Sequence, residues 1–376
     1  MKASFLCGVH YEGRLPHEHQ GWPTPPELYD SEIGQRTFDH FLEYAAMADQ
    51  LGFDWISISE HHYSPHILTP SLAAIGGALS QVVKKARIAS LGPLVPVNNP
   101  VRLAEEIAML DVLTHGRLNV LPLRGTPNEY NVYGTVSTEK SRAMTHEAIV
   151  LIRKALTEPR PFSWDGEHFQ FPQVAIWPRP VQKPAPPMFS SGNNLESARF
   201  AATNRLGMCT SFLPPPAVAL TTQMYYDEAA SAGWQPTPDQ IVHRNHIVVA
   251  DTAEEAADLE RNYLPEFTRN NIARNISANR VGTGIDDLMA QWAERLRSGH
   301  IAFGGTPDMV VEQIRAFAEQ TGVGVVDFIF TGGQTPPAAV RHSIELFGRE
   351  VLPRIRDIQS SVPEVVERAA AASADD

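Results

Sequence analysis

Glu60, His61 and His62 stand together at the end of the run WISIS, and His66 follows four residues later. Imidazoles titrate near neutral pH and can move protons or bind metal ions. Three readings of these histidines are open: metal ligands, a catalytic group, or the polar mouth of a loop bonded to backbone or to Glu60. The metal reading is the weakest. Neighbours on an extended chain point in opposite directions, so His61 and His62 do not readily share one ion. The sequence also has no HExxH helix and no cysteine partner for them. A second group of chemistry-bearing residues lies in LRGTPNEY, where Arg124 and Gly125 follow an apolar run. The planar guanidinium suits a phosphate because it donates two bonds to two oxygens, although Glu105, Glu106 or Glu129 could pair with it instead. The third is SSGNNLES: Gly192 allows close backbone approach, and a helix opening near Leu195 offers free N–H groups to an anion. Ordinary capping by Asn194, with Glu196 and Ser197 in the first turn, is the alternative. Taken together at neighbouring strand ends, Arg124 and this turn favour a phosphate site.

These residues need a scaffold, and the apolar pattern supplies one. Strands are expected in residues 4–9, 53–59, 86–95, 117–125, 188–192, 206–212, 240–250 and 323–330, with helical periodicity between them. Pro100 opens one helix, and Asp165-Gly166 marks a hairpin turn inside 162–172. The stretch WPRPVQKPAPP holds five prolines in eleven residues, so it is extended and irregular. Eight strands alternating with helices imply parallel pairing with right-handed crossovers. They fit an α/β TIM (β/α)8 barrel with insertions better than an open sheet. In such a barrel the working residues sit at the carboxyl ends of strands, where Glu60-His61-His62, Asn98-Asn99, Arg124-Gly125 and Gly192-Asn193-Asn194 fall. The barrel is expected to occupy residues 1–357, with 358–376 as a polar, Ala-rich tail.

Composition narrows the function. The 376 residues are 43% hydrophobic and carry a net charge of −12, with no clustered Lys/Arg run, which argues against nucleic acid. Two distant cysteines, Cys7 and Cys209, make neither a disulfide framework nor a CxxC zinc site. No signal peptide or membrane span is read, so a cytoplasmic protein is expected. The absence of GxGxxG after the first strand and of GxxxxGK[ST] disfavours Rossmann and P-loop readings.

The pieces ADQLGFDWISISEHH, VNNPVRLAEEIAMLDVLTHGRLNVLPLRG, NEYNVYGT, WPRPVQKPAPPMFSSGNNLESARFAA and GGTPDMVVEQIRAFAEQTGVGVVDFIF together resemble the bacterial luciferase-like flavin-dependent monooxygenases. In order and spacing they cover most of 45–205 and then 303–330. The resemblance implies one luciferase-like barrel using reduced FMN and O2, through a flavin hydroperoxide, to oxygenate a small organic substrate. A separate flavin reductase would supply the FMN, since the chain has no nicotinamide-binding fingerprint. By the same resemblance His61 is the catalytic residue beside the flavin, Glu60 braces the loop and His62 is structural. Arg124 holds the phosphate with the turn at Gly192, Asn193, Asn194 and Ser197. Asparagines replace the family's hydroxyls or acid there, which shifts those contacts toward backbone. Leu91-Gly92 corresponds to a non-proline cis peptide near the flavin, and Asn98 to a contact with the ring edge or substrate. Leu123 stands where luciferase carries a reactive cysteine, so light emission is not implied.

Relatives pair through the helix PVRLAEEIAMLDVL, whose second apolar face (Met109, Val112) implies a homodimer. Two other readings remain: a deazaflavin-dependent hydride-transfer oxidoreductase, and a flavin-binding protein without turnover. Tyr11, Trp22, Tyr63 and Phe212 could line an apolar substrate pocket or simply pack. The substrate itself is not legible, because loops 11–31 and 270–300 lie outside the resemblance.

Overall fold

The computed structural model describes residues 1–15, 24–63, 65–126, 129, 133, 138–262, 302–330 and 335–361. Eight strands form a continuous path: β4 (Leu118–Leu123), β3 (Arg87–Leu94), β2 (Trp55–Ile58), β1 (Lys2–Leu6), β11 (Val325–Ile329), β9 (Ile241–Val249), β8 (Gly207–Ser211) and β7 (Phe189–Ser191). Every neighbouring pair is parallel. A parallel bridge between Val120 and Met188 brings β7 back to β4, so the sheet is a nearly closed barrel. All eight strands were expected from the sequence.

A ninth strand, β10 (Ala302–Gly305), was not expected. It is four residues long, half of them glycine, and pairs only with β9. The hairpin is present as β5 (Phe162–Asp165) and antiparallel β6 (Gln170–Val174), outside the barrel. The proline-rich 177–187 stretch carries no helix or strand. Arg179 ties it to the carbonyls of Ala155 and Leu156, and Gln182 ties it to Asp111.

The helices are α1 (Ser31–Leu51), α2 (Leu72–Val82), α3 (Pro100–Leu113), α4 (Thr138–Thr157), α5 (Leu195–Thr203), α6 (Pro215–Ser231), α7 (Pro307–Thr321), α8 (Pro337–Leu346) and α9 (Leu352–Ile355). Their ends follow local chemistry. Asp30 caps α1 through Glu32 and Ile33 N–H, and Gly52 ends it in the left-handed region at φ 93°. Asn99 caps α3 ahead of Pro100. Gly76 lets α2 approach α3, since a Cβ there would lie 3.1 Å from Leu110 Cδ2.

Strands such as β2 and β11 are buried at every position, as parallel strands covered on both faces must be. One face packs Trp55, Leu91, Leu121, Phe189, Cys209 and Val242 inside the barrel. The other joins the larger layer between sheet and helices, with Phe5, Ile56, Val120 and Phe328. Cys7 and Cys209 are both buried and free.

One expectation is corrected here. The Leu91–Gly92 peptide is not cis; the cis bonds among the described residues are Trp177–Pro178 and Lys183–Pro184. The irregularity takes another form: Gly92 adopts φ 133°, and the β3–β4 register shifts between Leu91 and Leu94. Glycine has no Cβ to oppose that backbone, so the bend needs no cis bond. Among the described residues no helix is long and apolar enough to cross a membrane. The expected tail, from residue 362, and residues 16–23 and 263–301 of the loop regions lie outside the described residues.

Candidate active site

A cavity of about 370 Å³ opens at the carboxyl end of the barrel, within the range of about 300–1,000 Å³ for small-molecule sites. Its lining includes His61, Gly92, Arg124, Asn193, Asn194 and Ser197, so residues up to 136 positions apart converge there as the strand-end rule requires. Leu91, Asn98 and Gly192 do not line it. Leu91 belongs to the barrel interior. Gly192 packs beneath the turn, donating its N–H to Cys209 O at 2.8 Å; a Cβ on it would lie 2.2 Å from Met208 Cγ.

His61 leaves the end of β2 and bonds through Nδ1 to Glu129 Oε1 at 2.9 Å. Glu129 is fully buried, and its Oε2 accepts from Thr126 N–H and Oγ1, both at 2.9 Å. Three donors converge on this carboxylate, which only accepts. An ionised carboxylate offers no donor, so His61 Nδ1 is the nitrogen that carries the proton in this bond. The His66 ring packs edge-on against His61, with centroids 5.7 Å apart, and His10 packs on His66 at 5.2 Å. Burial, with the charge of His61 as a lesser cause, lowers the His10 pKa to about 4. It is a neutral imidazole at physiological pH.

His62 faces a different carboxylate. Its Nε2 bonds Glu60 Oε1 at 3.1 Å and its Nδ1 meets Tyr133 Oη at 3.1 Å. The two adjacent imidazoles thus serve separate networks, as alternation along an extended chain predicts. Glu60 also lines the cavity while accepting from Leu94 N–H and Asn98 Nδ2, each at 3.2 Å. Burial raises its pKa above the ordinary carboxylate range, with the His62 hydrogen bond opposing. Asn98 sets Glu60 and the Leu94 carbonyl in place from outside the cavity.

At the opposite wall Arg124 ends β4. None of the acids weighed from the sequence binds it: Glu106 pairs with Arg102, and Glu129 with His61. No carboxylate among the described residues forms an ion pair with Arg124. Across the cavity, Asn194 Oδ1 caps α5 by accepting from Ser197 N–H at 2.9 Å, and Asn193 bonds Ser211 through both amide atoms. Arg142, Thr145 and His146 of α4 complete this wall. Arg142 pairs with Glu196, and His146 stacks on Phe200 at 3.8 Å. Burial lowers the His146 pKa, and the nearby Arg142 and Arg124 add to that. A guanidinium and a helix N-terminus lining one cavity can together receive an anion such as a phosphate.

Of the aromatic residues weighed for the pocket, Phe212 lines it. Tyr11 is buried against Tyr29 and accepts from Asp30 N–H, while Tyr63 is largely exposed. Trp22 lies outside the described residues. Sequence reasoning missed Glu129 as the partner of His61, and it missed His10, Arg142, His146 and Arg244 in the lining. NEY stood among the family-like pieces and was the available signal for Glu129. Nothing local marked the others.

The carboxyl end of this parallel barrel thus brings a histidine–carboxylate pair, Arg124 and the start of α5 around one cavity. Comparison with known proteins gives the class. Residues 13–324 match the family model for luciferase-like monooxygenase, and the chain belongs to that family of flavin-dependent enzymes. It is 25% identical over 348 residues to the alkanal monooxygenase alpha chain of Photobacterium leiognathi, covering 87% of this chain and 96% of that one. In fold it resembles the oxygenating constituent of 3,6-diketocamphane monooxygenase of Pseudomonas putida, solved with FMN. The TM-score is 0.72 at 21% identity, covering 97% of this chain and 100% of that one. It also resembles an F420-dependent secondary alcohol dehydrogenase solved with an F420–acetone adduct. There the TM-score is 0.71 at 19% identity, covering 95% and 99%.

Proposed function

We propose that this chain, as one barrel domain over residues 1–357, is the FMN-dependent oxygenase of a two-component system. A separate reductase supplies reduced FMN, and the substrates are O2 and a small organic molecule. When bound, the reduced flavin supplies the electrons that activate dioxygen for transfer of one oxygen atom. The chain's own residues divide the remaining work. Arg124 and the N-terminus of α5, at Asn193, Asn194 and Ser197, bind the phosphate. Gly92, with no side chain at the bend of β3, leaves room for a flat ring against the strand ends. His61, oriented by Glu129, holds or moves a proton at Nε2, a task suited to an imidazole near neutrality. Relatives in which a separate oxygenating constituent is described support the reductase requirement.

Arg124, which lines the cavity and forms no ion pair among the described residues, is the observation that carries the reading. A guanidinium left without a carboxylate in a partly buried wall is poised for an anionic ligand. Arg124→Ala should weaken FMN binding by about 2–4 kcal/mol while leaving riboflavin nearly unchanged. Equal losses for both ligands would refute the phosphate role. The second reading, hydride transfer with a deazaflavin, is favoured by the likeness to the F420-dependent dehydrogenase. Oxygen uptake separates the two, because reduced deazaflavin does not readily activate oxygen.

A further inference from the structure

Arg244 lies on β9 with its side chain in the cavity lining, near Leu6, Cys209, Phe212 and Ile329. Its neighbour His243 points the other way, against Phe317 of α7, so the strand places Arg244 on the inner face. Its Nε donates to Asp327 Oδ2 at 2.8 Å, and Asp327 Oδ1 accepts from Ser4 and Ser57 hydroxyls at 2.6 Å each. Side chains of four strands therefore meet at one ion pair, its carboxylate fully buried. Neither terminal nitrogen of Arg244 has a hydrogen-bond partner among the described residues, and Nη2 is buried.

That is unlike the other arginines that sit against this barrel. Arg87 uses Nη2 on Leu118 O and Gln182 Oε1, Arg117 uses both terminal nitrogens on the Ala86 and Val83 carbonyls, and Arg179 uses both on Ala155 and Leu156. Each of these three makes two hydrogen bonds through its terminal nitrogens. Arg244 uses one of its five N–H donors. Burying such donors unmatched is costly unless a ligand completes them. The charge is already paired with Asp327, which also accepts from two serine hydroxyls. What remains is a set of directional N–H groups on an arginine whose charge is already paired. A neutral sp² oxygen matches this better than a free anion.

We propose that Arg244 is the anchor for a carbonyl oxygen of the molecule that fills this cavity. This rests on the reading of the cavity as a flavin-dependent oxygenase site. The oxygen has two sources, a pyrimidine carbonyl of the isoalloxazine ring or a carbonyl on the organic substrate, and Arg244 acts as a positioning group for either.

The test uses the full chain and three probes: lumiflavin (ring without phosphate), cyclohexanone, and FMN. Arg244→Lys keeps the charge against Asp327 but removes the fork. Wild-type protein should show a shift of the Arg244 side-chain ¹⁵N signals on adding the probe that supplies the oxygen. Arg244→Lys should weaken that probe at least 10-fold and leave the other within 2-fold. Loss for lumiflavin assigns the oxygen to the ring, and loss for cyclohexanone assigns it to the substrate. If Arg244→Lys does not fold, Arg244→Met with Asp327→Asn removes the pair together and takes the same measurements. Unchanged affinity for both probes, or no binding of either by wild type, overturns the proposal. Wild-type protein that binds cyclohexanone through Arg244 but not FMN would instead defeat the FMN reading alone.

Discussion

His61 and Glu129 are 68 positions apart in the chain and 2.9 Å apart at their bonded atoms. The carboxylate fixes which imidazole nitrogen carries the proton, so the pair acts together. His61→Ala should retain most flavin affinity yet lose at least about 10²-fold in turnover, the scale of a positioned acid–base group. Glu129→Gln, which can accept only through its carbonyl, should lose roughly 10-fold and alter the pH profile, because the ring's tautomer is less firmly set. His62→Ala should act chiefly on stability, by about 1–2 kcal/mol for lost buried hydrogen bonds to Glu60 and Tyr133. Turnover unchanged in His61→Ala would reduce the histidine to a loop contact. His61 was marked as a candidate by its type and strand-end position, and the family resemblance singled it out from His62 and His66. Glu129 was legible only as one of several acids near Arg124, since hydrogen-bond geometry between distant segments leaves no local mark.

Each side chain proposed to work in the site is placed by an element end: β2 for His61, β4 for Arg124, the start of α5 for Asn194 and Ser197. Such ends follow from apolar periodicity and capping residues, which is why all eight barrel strands could be read in advance. The strand β10 could not, because its two glycines carry no alternation. Helix α3 carries information of another kind. It buries Leu103, Ile107 and Leu110 against the barrel but leaves Met109, Val112 and Leu113 about 40% exposed. A helix on a barrel has one inner face, so this second apolar face is proposed as the homodimer contact. Light scattering at micromolar concentration should give a dimer, and Val112→Glu with Leu113→Glu should shift it toward monomer. A wild-type mass of 41.5 kDa would sink this assignment.

Across the whole molecule, burial of imidazoles couples stability to pH. Burial lowers the pKa of His10 to about 4 and those of His243 and His246 to about 3, from an ordinary 6.5. Below pH 6.5 the unfolded chain binds protons that the folded chain refuses. Their contribution is therefore complete above about pH 6.5 and is lost progressively as pH falls toward 4. The denaturant midpoint should drop between pH 7 and pH 5, and a flat profile would show that these rings charge freely in the native state. Sequence alone determined the parallel α/β barrel and its strand ends and marked His61, Arg124 and the asparagine turn as candidates, because periodicity, caps and residue chemistry act over a few neighbours. The tertiary structure alone decided that Arg124 and the terminal nitrogens of Arg244 find no partner among the described residues, that His61 bonds Glu129, and that Gly92 bends without a cis bond. Those facts depend on which distant strands become neighbours and at what register, and only closing the barrel sets either.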